Sequence, residues 1–359
     1  MPERRAPRLL VVAAGTGGHI VPGVVFARAA RASGAEAALA AGARPVEEQV
    51  YAALGEERLR VPLRVGINAR GRLAPWNVAR DLAAAARTLR AFRPDAVLSM
   101  GGAYGVPFLL AAKAMGLPVF LHESNRRPGR VTRIFARLAE RAFLGFPPDA
   151  AVANALVTGT PARSVEPAAV RDTVCFLGGS LGAKRVADAG AELARGIVEA
   201  HPGLRVVVLG ASAPEGSAAD PSIEFLPFCA DVPALLARSV LAVSRAGAST
   251  LVELAAAGAP AVLVPYPRAK DDHQRANARF AAERGAAVMV DEVNDPQESL
   301  EDAVRALLAD PARAAAMGAA ARTLNAADPC AAMLSTISQS LDARRTGGAA
   351  TLDPAEIRR

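Results

Sequence analysis

A glycine turn at Gly247 opens a helix start that carries hydroxyls at Ser249 and Thr250 and, one turn further on, a carboxylate at Glu253. Gly258 and Pro260 close that helix, and Ala261 to Val264 read as a buried strand. A helix N-terminus presents backbone N–H groups and the positive end of the peptide dipoles. With no acidic side chain beside it, such a turn suits a diphosphate. Glu253 is spaced to reach a ribose hydroxyl of the same nucleotide. The bland alternative is an ordinary capped helix with a surface glutamate, and four further glycine turns of matching character weigh against it.

Gly15-Thr-Gly-Gly-His19 follows the apolar run Leu9–Ala13, at the carboxyl end of a strand, where open α/β sheets bind ligands. Its spacing is not Gly-x-Gly-x-x-Gly, and no acidic residue ends the expected second strand, which disfavours a nicotinamide dinucleotide. His19 has three uses open to it: general base, hydrogen-bond donor to a phosphate, or helix-capping imidazole. Met100-Gly-Gly-Ala-Tyr-Gly-Val-Pro107 and His122-Glu-Ser-Asn-Arg-Arg-Pro-Gly129 repeat the strand-to-turn pattern. Three such turns on one sheet edge line a cleft with N–H groups, which suits a second anion. Glu123 and Asn125 hang into it; alternatively Glu123 pairs with Arg126 or Arg127 at the surface.

Lys270-Asp-Asp-His-Gln-Arg-Ala-Asn277 starts another helix, beyond a strand that ends near Pro265. Asp271 or Asp272 fits its N-cap, and Gln274 and Asn277 share one helix face. Neutral amides bond sugar hydroxyls without competing for charge. Adjacent cap carboxylates are not placed to hold a divalent ion across a diphosphate. The pattern favours a transferase that stabilises its leaving diphosphate with amides and dipoles, with no metal required.

These turns need sheets to hold them. Leu9–Ala13, Ala96–Ser99, Pro118–Leu121 and Ala142–Leu144 read as strands of one sheet; Thr173–Leu177, Arg205–Leu209, Leu241–Val243 and Ala261–Val264 as strands of another. Helical patterns lie between them at Val24–Ala32, Trp76–Phe92, Ala183–Ala200, Leu251–Ala257 and His273–Arg284. Such alternation means parallel sheets covered on both faces. The expected fold class is α/β with two doubly wound, Rossmann-like domains. They span residues 1–163 and 164–343, joined near Pro161 to Val170, with the last helix a candidate to pack back on the first domain and a disordered tail at 344–359.

A length of 359 residues and a hydrophobic content of 52% support two cores and exclude global disorder. The net charge of +7, almost all from arginine, fits nucleic acid, an anionic membrane or a phosphorylated substrate. Aromatic residues make up only 4% and no reader motif occurs, so nucleic acid is set aside. Cys175, Cys229 and Cys330 lie too far apart for a metal spacing or a disulfide framework, in keeping with a reducing cytosol. Met1 to Arg8 lacks the apolar core of a signal peptide. The apolar region Ala96 to Leu121 is broken by Pro107, Lys113 and Pro118, so no transmembrane helix is expected.

In chain order, Gly15-Thr-Gly-Gly-His-Ile-Val-Pro-Gly23, Gly101-Gly with Tyr104, His122-Glu-Ser-Asn, Gly178-Gly-Ser-Leu-Gly-Ala, Arg245-Ala-Gly-Ala and Asp272-His-Gln with Asn277 form a set. The set resembles the bacterial peptidoglycan lipid-intermediate glycosyltransferases, glycosyltransferase family 28, over residues 8 to 340. The resemblance implies a GT-B fold, two Rossmann-like domains facing across a cleft. It implies an inverting enzyme that moves N-acetylglucosamine from UDP-N-acetylglucosamine to the 4-hydroxyl of undecaprenyl-diphospho-N-acetylmuramoyl-pentapeptide. That is lipid I to lipid II, a step of cell-wall synthesis and so of cell shape and division. It puts uracil on the Phe225–Leu226 backbone, the ribose on Glu253, and the diphosphate on Ser180, Ala248, Ser249 and Thr250. His273 and Gln274 face the sugar, Arg163 is a donor contact near the hinge, and Thr16, Gly17 and Gly18 count with the donor side. His19, Tyr104, Glu123 and Asn125 match the acceptor side, with His19 the first choice of base and Glu123 the second. No cofactor is implied, the sugar nucleotide being a substrate. Leu181 replaces a usual glutamine, and Thr160 and Thr132 replace asparagines, so efficiency or substrate choice is where this chain is expected to differ.

A lipid-linked acceptor requires contact with a membrane. From Arg58 to Arg93, nine arginines accompany one acidic residue, Asp81, with Leu73, Trp76, Leu82, Leu89 and Phe92 interleaved; more arginines follow from Arg126 to Arg141. Basic residues beside apolar ones describe an interfacial patch, the alternative being a packing helix with a solvated basic face. The expected partners are UDP-N-acetylglucosamine, a polyprenyl-diphosphate-linked muramoyl peptide, an anionic membrane surface and other cell-wall synthesis proteins. The expected place is peripheral, on the cytoplasmic face of the cell membrane. Two rival readings stay open: a UDP-sugar-dependent glycolipid glycosyltransferase with another acceptor, and a non-catalytic UDP-sugar-binding protein, which Leu181 would suit.

Overall fold

The computed structural model describes residues 5–65, 74–166, 168–178, 184–213, 220–229, 231–291 and 299–346. The chain divides into two compact units, residues 1–161 with 326–359, and residues 162–325.

The first unit runs β1 Arg8–Val12, α1 Gly17–Ala32, β2 Glu36–Ala41, α2 Pro45–Leu54, β3 Leu59–Arg60, α3 Pro75–Phe92, β4 Ala96–Ser99, α4 Val106–Ala114, β5 Val119–Glu123, α5 Arg130–Phe135, β6 Arg141–Leu144 and β7 Ala155–Val157. Its seven strands are parallel, in the order β3-β2-β1-β4-β5-β6-β7. The second unit runs β8 Thr173–Leu177, α6 Lys184–Ala200, β9 Arg205–Leu209, β10 Ile223–Leu226, α7 Val232–Ala237, β11 Ser239–Ser244, α8 Ala248–Ala257, β12 Ala261–Leu263, α9 His273–Glu283, β13 Val288–Met289, α10 Leu300–Ala309 and α11 Pro311–Ala321. Its six strands are parallel too, ordered β10-β9-β8-β11-β12-β13. The last helix, α12 Pro329–Arg345, packs on α1 and sends Met333, Ile337 and Leu341 into the first unit's core.

Each sheet grows outward in both directions from its first strand, so a switch point falls between β1 and β4 and another between β8 and β11. Loops leave the carboxyl ends there toward opposite faces and open a crevice. The inner strands are continuous apolar runs buried on both faces, as Leu9 to Val12 and Val174 to Leu177 show. One expectation shifts. α1 begins at Gly17 and not near Val24, because the helix runs through Pro22, giving up only the bond its N–H would make. The alanine-rich Glu36–Ala41 is a strand despite its helical propensity, since pairing with β1 decides it.

On α3, Leu89 is fully buried, Phe92 packs against the core and Leu82 is half-buried, so these are not surface residues as the patch reading had them. Trp76 alone of the apolar residues named there and described is exposed, at 87%; Leu73 lies outside the described residues. Among the described residues no helix is long and apolar enough to cross a membrane. The three cysteines are free.

Candidate functional site

β1 runs out through Ala13 and Ala14 to Gly15, whose φ of +110° suits glycine alone. Thr16 takes the N-cap position of α1 without a side-chain cap bond, and its carbonyl receives the His19 N–H at 3.0 Å. The half-buried His19 ring lies in a seat of glycine backbone. A Cβ on Gly15 would stand 3.4 Å from Nδ1, one on Gly101 3.4 Å from Nε2, and one on Gly102 3.2 Å from Cε1. The glycines thus serve the imidazole as well as the turns.

Beneath this loop stands a residue that the sequence motifs do not single out. Glu47 of α2 is fully buried and accepts the Gly15 N–H at 2.7 Å, along with the Arg44 N–H and guanidinium, each at 3.0 Å. Tyr51, one turn on, donates its hydroxyl to the Ala13 carbonyl at 2.7 Å, with the Arg58 guanidinium 4.4 Å from its ring centre. The available signal was Arg44-Pro-Val-Glu47, a helix start with proline at its first position and a glutamate answering the cap N–H.

Glu123 ends β5, and its carboxylate is committed to its own loop. Oε1 accepts the backbone and side-chain N–H groups of Asn125, each at 3.0 Å, and Oε2 accepts Gly129 N–H at 2.8 Å and the Thr132 hydroxyl at 2.9 Å. Thr132 therefore keeps a donor at a position where an asparagine was expected. Arg127 pairs with Asp149 at 2.7 Å and Arg126 donates to the Pro147 carbonyl. Tyr104 is buried and gives its hydroxyl to the Val61 carbonyl, and burial pushes that phenol well above its usual range. His122, wholly buried between the Gly159 carbonyl and the Ser124 hydroxyl at 3.4 Å each, is pushed by burial down to about 4 and stands neutral. The first crevice therefore brings His19 and the glycine turns together, whereas Glu123 and Tyr104 hold its walls.

In the second unit, Gly247 takes the N-cap position of α8 with no side-chain cap bond and no acidic residue in the first turn. Ala248, Ser249 and Thr250 head the helix, and Leu251 N–H bonds back to the Gly247 carbonyl at 3.0 Å. Asn277, buried on α9, holds the turn by donating to the Ala246 carbonyl at 3.1 Å and so is not a sugar-facing amide. Glu253 meets Arg163, whose Nη2 and Nε lie 2.6 and 3.2 Å from the same oxygen, Oε1. Burial pushes this carboxyl upward and the Arg163 guanidinium opposes the shift.

Gly178, just past β8, runs so close to β9 that a Cβ would lie 2.3 Å from the Leu209 carbonyl. Ser180 and Leu181 lie outside the described residues. β10 is an edge strand whose Leu226 carbonyl takes the Gly210 N–H at 2.7 Å; strand alternation then turns the Phe225 N–H and C=O to the open edge. Gln274 Oε1 accepts the Tyr266 N–H at 2.9 Å, which fixes the amide and points its NH2 the other way. His273 Nδ1 lies 2.6 Å from the Lys270 carbonyl. Asp271 and Asp272 both have left-handed φ, 54° and 55°. Asp272 holds the N-cap position of α9 yet makes no cap bond, because its carboxylate pairs with Arg275 at 2.9 Å.

The model of the glycosyltransferase family 28 N-terminal domain matches residues 9–144, and that of the family's C-terminal domain matches residues 173–331. A UDP-N-acetylglucosamine–N-acetylmuramyl-(pentapeptide) pyrophosphoryl-undecaprenol N-acetylglucosamine transferase of Xylella fastidiosa is 37% identical over 339 residues, 89% of this chain and 92% of its own. A transferase of the same name from Acidithiobacillus ferrooxidans is 36% identical over 353 residues, 90% of this chain and 97% of its own. Among solved structures, Acinetobacter baumannii MurG superposes with a TM-score of 0.72 at 26% identity, over 93% of this chain and 100% of that one.

Proposed function

The chain belongs to glycosyltransferase family 28, and on that premise we propose that it makes lipid II from lipid I. It transfers N-acetylglucosamine from UDP-N-acetylglucosamine to the muramoyl 4-hydroxyl of an undecaprenyl-diphosphate-linked pentapeptide. The observation that carries this reading is the second switch point: an uncapped helix start at Gly247 with a carboxylate one turn inside, on a sheet whose edge strand β10 offers the Phe225 peptide. Diphosphate on the Ala248–Thr250 N–H groups, ribose on Glu253 and uracil on Phe225 follow the order of groups in UDP. Arg163 then shares itself between Glu253 and the diphosphate, and the Gln274 NH2 serves the sugar.

The acceptor oxygen attacks the anomeric carbon from the face opposite UDP. The new C–O bond forms as the bond to the diphosphate oxygen breaks, and the configuration inverts. The acceptor proton passes to an imidazole nitrogen of His19; the electron pair leaves with UDP, whose growing charge is met by the α8 N-terminus. His19 is preferred to Glu123 because a base needs a lone pair aimed at the proton, and the Glu123 oxygens are bound in their loop. Asp272 is paired with Arg275, which supports transfer without a divalent ion.

Membrane contact is assigned to two exposed stripes of the first unit. On α3, Trp76, Arg80, Arg87 and Arg90 follow helical spacing on one face; on α5 and the turn after it, Arg130, Arg133, Ile134 and Arg137 do the same. Arginine around a lone large apolar residue suits an anionic surface. The deciding experiment is transfer from labelled UDP-N-acetylglucosamine to lipid I with chelator present. A labelled disaccharide lipid is the expected product. UDP binding without that product would move the acceptor to another glycolipid.

A further inference from the structure

A cavity of about 710 Å3 opens at the amino edge of the second sheet, where Leu204, Val240 and Pro260 begin or precede strands and Leu307 and Ala315 stand on α10 and α11. It lies at the far end of α8 from Gly247. Arg171 and Arg322 also line it. Arg171 donates to the Ala257 and Gly258 carbonyls at 2.6 and 2.8 Å, and Arg322 to the Ala257 carbonyl at 3.3 Å. Gly258, with φ of 57°, lies where a Cβ would come within 2.2 Å of the Arg322 Cζ. The two guanidiniums are thus gathered at one helix end. Among the described residues neither has a carboxylate partner, and no carboxylate lines the cavity. Burial and the Arg322 charge both push the Arg171 guanidinium below its usual value.

We propose that this cavity is a binding site for an amphiphilic anion, with an oxyanion head on Arg322 and Arg171 and an apolar body along Leu204, Val240, Leu307 and Ala315. Two like charges beside each other repel, and helix-end carbonyls offset them only in part; an oxyanion relieves the repulsion directly. Guanidinium forks match carboxylate or phosphate oxygens in pairs. Arg322 commits one nitrogen to Ala257 and is otherwise exposed, so N–H groups are left for a ligand. The volume falls inside the range of small-molecule sites, roughly 300–1,000 Å3, and the remaining lining is largely apolar, as such sites are. The assignment rests on the geometry of the second unit and not on the transfer reaction.

The test is calorimetric titration of the full chain with dodecanoate and with dodecyl phosphate, each below its micelle concentration. Saturable one-site binding is expected, and the tighter of the two identifies the head group. Arg322→Glu should weaken it by about tenfold or more, since a charge-assisted bond is replaced by repulsion. Ala315→Trp, which fills one wall from an exposed helix position, should abolish it. Unchanged circular dichroism would show both variants folded. Dodecyltrimethylammonium, with the same tail and opposite charge, should not compete. The site is overturned if neither anion saturates, if Arg322→Glu binds like the parent, or if the cation competes equally.

Discussion

His19 and Glu47 divide the work at the first glycine turn, and their substitutions separate accordingly. In the proposed mechanism the imidazole takes the acceptor proton, so His19→Ala should lower kcat by about 10²–10⁴-fold, the range of general-base catalysis. UDP affinity should stay near that of the parent, because the uracil, ribose and diphosphate contacts proposed above, Phe225, Glu253 and the start of α8, all belong to the second unit; a parallel loss of UDP binding in equilibrium titration would contradict this. Glu47 touches no substrate in this reading. It positions Gly15, and through Gly15 the seat of the ring. Glu47→Ala leaves the Gly15 N–H and the Arg44 groups without their acceptor, which should cost about 1–3 kcal/mol in urea unfolding and lower kcat. Glu47→Gln keeps an acceptor oxygen and should recover most of the kcat without restoring the charge. Equal kcat values for the two variants would mean that the Gly15 bond does not order the site.

Helices α6 and α3 show what an element contributes beyond its residues. α6 lies against the second sheet so closely that a Cβ on Gly190 would stand 2.7 Å from the Phe176 ring. Gly190→Ala should therefore destabilise by about 1–3 kcal/mol through overpacking, despite alanine's better helix propensity, and chemical denaturation measures it. The α3 stripe makes a different demand: sedimentation with anionic vesicles should fall for Trp76→Ala and Arg80→Glu, with transfer to a detergent-solubilised acceptor unchanged. Retention equal to the parent at moderate salt would leave α3 a packing helix with a solvated face. Elements of this kind were legible in the sequence to unequal degrees. The inner strands and their glycine turns could be read because parallel strands are unbroken apolar runs and each turn needs glycine. The edge strands β3, β7 and β13 are too short to carry a pattern. β2 is alanine-rich and declares itself only by pairing with β1. At the candidate site, motif spacing picked out His19, Glu253 and Gln274 as candidates, but it could not show that Glu123 spends its oxygens on its own loop or that Tyr104 gives its hydroxyl to the distant Val61 carbonyl. Nor could it show that a glutamate from α2 lies under Gly15, since hydrogen bonds across distant segments leave no local spacing.

At the scale of the whole molecule, the two units carry different sensitivities and should unfold in separable steps. The first contains His122, wholly buried, neutral, and pushed from an ordinary 6.5 down to about 4. The unfolded chain binds a proton at this residue below pH 6.5, whereas the folded unit refuses it until about pH 4. Stability contributed by the neutral imidazole is therefore full above pH 6.5, falls as the pH drops through that window, and is gone near pH 4. At ~1.4 kcal/mol per pH unit the loss approaches about 3 kcal/mol. His122→Gln has no proton to gain, so its first-unit transition should lie lower at neutral pH and run nearly flat across the same window. The second unit should answer to nucleotide instead: UDP at a hundred times its Kd should stabilise that transition by about 2.7 kcal/mol and leave the other in place. Urea titrations at a series of pH values, with and without UDP, read both effects together. If His122→Gln retains the parent's acid slope, another group governs the first unit; if UDP shifts both transitions equally, the units unfold as one.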